Sequence, residues 1–115
     1  LVVPQVTKKI DQARVETTKS NLKMLHNTVN QYKMDTGEYP PEDIGLEALV
    51  VDQDIPGWQG PYLETTQIPN DGWGEPFEYI LEPESGMPFA VVSFGADKQE
   101  GGEDLNADLY STDAD

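Results

Sequence analysis

Positions 5–34 contain neither glycine nor proline, and this run of thirty residues constrains the chain more than any other feature. Within it Val6, Ile10 and Ala13, and then Leu22, Leu25, Val29 and Tyr32, recur at steps of three and four, which places each set on one helical face. Arg14 to Asn21 separates the two sets with a polar span relieved only by Val15. At 1.5 Å per residue such a helix is roughly 45 Å long. That is more than a small head can cover, so the second set is expected to pack into the head and the first half to project. Ordinary core packing accounts for Leu22 to Tyr32. Asp35-Thr36-Gly37 ends the helix, with Gly37 suited to a left-handed cap. At the other end the apolar run Leu1-Val2-Val3-Pro4 begins abruptly, so an apolar segment is expected upstream. Pro4 suits a first helical turn, and it bends the helix if the helix continues before it.

The chain of 115 residues is expected to form one domain over 1–115, a helical stem at 1–35 and a globular head at 36–115. Charge divides at the same boundary. The stem carries six basic and three acidic side chains, a balance of +3, whereas the head has only Lys98 against nineteen carboxylates, a balance of −18; together they give the net −15. Such a head repels phosphates and argues against nucleic-acid binding. Acidic heads and basic stems attract one another in an assembly, although for any single carboxylate a solubilising role is the plainer reading. Cysteine is absent, so no disulfide supports the fold. No run approaches the roughly 18 to 20 apolar residues needed to span a bilayer.

Beyond the stem, Pro40 pushes Tyr39 into an extended conformation and turns the chain away. Glu42 and Asp43 precede apolar residues at helical spacing, which predicts a short second helix within Ile44 to Val50. Residues 51–75 read as a long loop punctuated by proline and glycine, pinned by Trp58, Tyr62 and Trp73, with Tyr62-Leu63 as a short extended piece. Residues 77–81 and 89–94 have strand composition, and the turn at 82–86 predicts an antiparallel hairpin. Leu109-Tyr110-Ser111 is a third strand, and residues 112–115 are expected to fray.

One stretch, residues 95–108, can carry chemistry. Its three glycines permit tight turns, and it holds five carboxylates together with amide side chains. Calcium takes six to eight oxygens from such groups. The spacing is not that of an EF-hand, because Gln99 and Gly101 occupy the third and fifth places counted from Asp97. Composition alone leaves open a calcium site and a solvated loop. Nucleophilic catalysis and zinc have little support, since the single histidine, His26, lies within the helix. Carboxylates are plentiful enough for paired-carboxylate hydrolysis, but nothing in the sequence marks a pair sharing a cleft. The chain is therefore read as no enzyme.

Several pieces now align in order: Leu1-Val2-Val3-Pro4, the long helix, Tyr32-Lys33 to Tyr39-Pro40, Gly45-Leu46-Glu47-Ala48-Leu49-Val50, Asp71-Gly72-Trp73-Gly74 with Tyr79, and the Gly95-to-Leu109 loop. Together they resemble the major pseudopilins of the bacterial type II secretion system over essentially the whole chain. The resemblance implies an α+β, type IV pilin-like fold: a long N-terminal helix packed on a small antiparallel β-sheet, with a C-terminal calcium-binding loop. It implies a structural subunit of the pseudopilus, a helical filament of many copies in the periplasm that drives export of folded proteins across the outer membrane. Partners would be further copies, minor pseudopilins and the inner-membrane secretion assembly. The chain would be a soluble form lacking the upstream segment, processed in the precursor, that anchors such subunits in the inner membrane.

Calcium ligands carry over by resemblance to Asp97 and Asp108 through their carboxylates, and to Phe94 and Gly102 through backbone carbonyls. Asn106 is preferred for the remaining place, with Asp104 as the alternative. Two departures stand out. Lys98 replaces a common glycine and adds a cation near the site. Gly72 replaces the proline of Asp-Pro-Trp-Gly, a change expected to matter less. The rival readings are a type IV pilin or minor pilin subunit, and a calcium-dependent carbohydrate-binding module using Trp58 and Trp73.

Overall fold

The computed structural model describes residues 4–64, 67–82, 86–98, 101–102 and 108–111. The opening Leu-Val-Val run, the centre of the turn at 82–86, and the tail at 112–115 lie outside the described residues.

Helix α1 spans Pro4–Thr36, 33 residues, and the molecule extends 57 × 30 × 22 Å. It stops where the sequence predicts. Gly37, at φ +86, donates its N–H to Lys33 O at 2.8 Å, and the Lys33 ammonium returns to Gly37 O at 3.0 Å. Leu22, Leu25, Val29 and Tyr32 are fully buried, whereas Ile10 is 50% exposed. The expected division of the stem therefore holds, with one correction. The polar span is not uniformly solvated, because Thr18 within it is fully buried.

The predicted second helix is a 3-10 helix over Gly45–Leu49. Its Leu46, Ala48 and Leu49 are buried. The hairpin and third strand form as expected: β1 (Glu78–Leu81), β2 (Phe89–Ser93) and β3 (Leu109–Tyr110) make an antiparallel sheet in the order β1-β2-β3. Register pairs Glu78 with Val92, Leu81 with Phe89, and Ser93 with Leu109. All five residues of β2 are buried, as befits the central strand. Phe89 and Val91 join the α1 stripe, the 3-10 helix, Phe77 and Tyr79 in one core. Tyr79 donates its hydroxyl to Pro40 O at 2.9 Å, and burial pushes its phenol well above the usual range.

Two of the three predicted pins secure the long loop through their side chains. The Trp58 indole N–H donates to Ala48 O at 2.7 Å. Tyr62 donates to Asp35 Oδ2 at 2.9 Å, receives Gln59 N–H at 2.8 Å, and sets its ring edge-on to Trp58 and Tyr32. Trp73 is held through its backbone N–H. Residues 62–63 form no strand; Tyr62 N–H instead bonds Leu49 O at 2.8 Å.

Candidate functional site

The sheet brings the two ends of the acidic loop together. Ser93 of β2 is paired with Leu109 of β3, so Phe94 leaves the sheet beside the point where Asp108 enters it. Phe94 leads into a tight turn in which Lys98 N–H bonds Gly95 O at 3.3 Å. Further along, the Gly101 N–H reaches both carboxylate oxygens of Asp108, at 3.1 and 3.0 Å. Phe94, Asp97, Gly102 and Asp108 are thus on segments gathered at one end of the sheet. Asn106 and Asp104 lie outside the described residues.

Two carboxylates and two carbonyls are oxygen donors throughout, the chemistry that a hard cation takes. Among the described residues no three His, Asp or Glu side chains gather tightly enough to hold a metal. Lys98 directs its charge to Glu75, at 3.0 Å across two substantially exposed side chains. Its backbone sits at φ +62, which explains why glycine suits this position: a side chain there carries a steric cost that glycine does not.

Beside this loop lies a second acidic turn that the residue-level reading did not single out. Asp71, 6% exposed, accepts the N–H groups of Trp73 and Glu75 on Oδ1, both at 2.9 Å, and the Ser93 hydroxyl on Oδ2 at 2.7 Å. Ser93 Oγ also accepts Gly95 N–H at 3.3 Å. One serine thus joins the Asp71 turn to the start of the acidic loop. An Asp followed closely by two glycines is an Asx-turn signal, and it was the available clue.

The same turn clamps the stem. Thr18 Oγ1 donates to Arg14 O and accepts Gly72 N–H, at 2.7 and 2.8 Å, while the Arg14 guanidinium donates to Gly72 O at 3.0 Å. A Cβ on Gly72 would come within 2.2 Å of Arg14 O. Glycine therefore has a role here that proline, with no N–H, would not fill in the same geometry. The glycine supplies both a bonded N–H and the space for close approach to α1.

His26 is structural. Its ring stacks on Phe89 at 4.7 Å, and Nδ1 meets Ser111 Oγ at 3.1 Å. Ser111 Oγ also accepts Val91 N–H at 2.9 Å, so the one hydroxyl ties the helix ring to the central strand. Burial lowers the pKa of His26. Trp58, with its indole N–H committed to the backbone, serves as a loop anchor.

Residues 5–112 match the family described as Type II secretion system (T2SS), protein G. The chain belongs to that family. The type II secretion system core protein G of Pseudomonas aeruginosa is 40% identical over 98% of this chain and 81% of its own length. The corresponding protein of Vibrio cholerae is 34% identical over 94% of this chain and 75% of its own. Among solved structures, the crystal structure of the major pseudopilin from the type 2 secretion system of enterohaemorrhagic Escherichia coli superposes with a TM-score of 0.71. It is 27% identical and covers 96% of each chain. The pilin-like arrangement of one long helix on a three-stranded antiparallel sheet is therefore that of the protein G pseudopilins, subunits of the type II secretion pseudopilus. Among the described residues no helix is long and apolar enough to cross a membrane.

Proposed function

We propose that this protein G pseudopilin acts without catalysis, by polymerising into a periplasmic filament that drives folded proteins across the outer membrane. The division of α1 carries the reading. Its C-terminal half is sealed into the head, whereas Lys8, Lys9 and Ile10 stand exposed on a helix that the head does not cover. A rigid, uncovered stem is an assembly element. Stacked stems with heads outside make a filament when the contacts are heterologous and do not close. In this reading the filament is rooted at the inner membrane and works alongside minor pseudopilins and the membrane assembly. Calcium would be held by Asp97, Asp108 and the carbonyls of Phe94 and Gly102, completed by Asn106 or Asp104, and would pin the C-terminal loop to the head.

Deletion of the gene, with assays for secreted enzymes and for surface filaments, tests the reading. Loss of both, restored by the wild-type gene, is expected. Undiminished secretion in the deletion strain would falsify it.

A further inference from the structure

We propose that the groove between the 3-10 helix and β1 receives the exposed stem of a second copy of this chain. This rests on the filament reading and assigns one of its contacts. The groove encloses about 320 Å³ and is lined by Leu46, Ile68 and Phe77, with Glu42, Glu47 and Glu78 also bordering it. The three glutamates are exposed, and among the described residues none of them has an ion-pair partner. It is a slot of mixed polar and apolar lining with a negative rim.

The stem carries the complement. Helical spacing puts Ile10, Ala13 and Thr17 on one face, with Lys9 and Arg14 flanking it. All five are exposed. Lys9 has no ion-pair partner among the described residues, and Arg14, bonded to Gly72 O through Nη1, has further N–H donors. Seating Ile10 against the half-buried Ile68 removes apolar surface from water on both copies. It also brings two cations to three carboxylates in a partly desolvated setting, where such pairs decide register. Ridge and groove are different surfaces, so each copy offers one of each and the contact propagates.

The test uses cells making the full natural chain with its secretion machinery. Lys9→Glu and Glu47→Lys, both at exposed positions, should each leave the melting temperature unchanged and lower filament yield about tenfold, the loss of one good pairing. Combining them should recover most of the yield. The chain has no cysteine, so Ala13→Cys with Glu42→Cys should cross-link neighbouring copies on oxidation. Full yield from both single variants without a cross-link overturns the docking and leaves the filament reading standing. Loss in both without recovery or cross-link also overturns the docking. Intact filaments with secretion lost in Glu47→Lys would give the groove to a different partner, again overturning the second copy as occupant. Failure of the unsubstituted chain to form filaments overturns both readings.

Discussion

Ser93 lies between two acidic turns that are held in opposite ways. The Asp71 turn is closed: its carboxylate is buried and takes two backbone N–H groups and a hydroxyl from the protein itself. In the Asp97–Asp108 loop the described carboxylates are less covered: Asp97 is exposed, Asp108 is half-buried, and Asp108 receives one backbone N–H across its two oxygens. A carboxylate surrounded by fixed donors is stabilised by the fold and has little use for a cation. Carboxylates nearer the surface keep more of their oxygens within reach of a cation. The contrast places structural duty on Asp71; calcium at the loop stays the proposal made above.

The sharpest way to break this comparison is Asp71→Ala. Removing an acceptor shared by one buried and two half-buried donors should cost about 4 kcal/mol, lowering the melting temperature by about 15 °C. A loss of only a few degrees would mean that the turn is held by other contacts. Calcium is next. At 100 times its dissociation constant, a bound ion adds about 2.7 kcal/mol, so millimolar calcium should raise the melting temperature and chelator should reverse it. Asp97→Ala should abolish the rise. An Asp97→Ala variant as stable as wild type, together with no calcium shift, would remove the ion from the account.

Gly72→Ala tests how the closed turn grips the stem. Its Cβ would press on the Arg14 carbonyl, and overpacking of this kind costs about 2 kcal/mol. The check is denaturant unfolding, and an unchanged midpoint would show that the stem yields. The smallest effect is expected at His26. Its pKa in the folded state is lowered by burial, so as pH falls below 6.5 the unfolded chain takes up the proton first. Stability from the neutral ring is complete above 6.5 and is lost toward the lower folded pKa. Wild type should therefore lose more melting temperature than His26→Gln between pH 7.5 and pH 5. Parallel pH profiles would show that burial of the ring does not shift its titration.

Much of the fold was legible because its signals are local. The α1 stripe from Leu22 to Tyr32 follows helical spacing, Gly37 supplies the cap, and β1 and β2 show strand composition. The acidic loop was visible for the same reason, since its carboxylates and glycines are close in sequence. The clamp of Thr18 and Arg14 on Gly72 was not legible. It joins residues more than fifty positions apart through backbone groups that every residue carries. Polarity in the span 14–21 suggested solvent, yet Thr18 is buried because the turn brings it a donor.

By itself, the sequence determined a long amphipathic helix, its end, a hairpin, a third strand and an acidic C-terminal loop, because each rests on periodicity or on residues that are neighbours along the chain. Only the tertiary structure decided that the Asp71 carboxylate is closed while Asp97 and Asp108 lie nearer the surface. That depends on how many N–H and O–H groups the folded chain delivers to each oxygen, and their number is set by packing between distant segments.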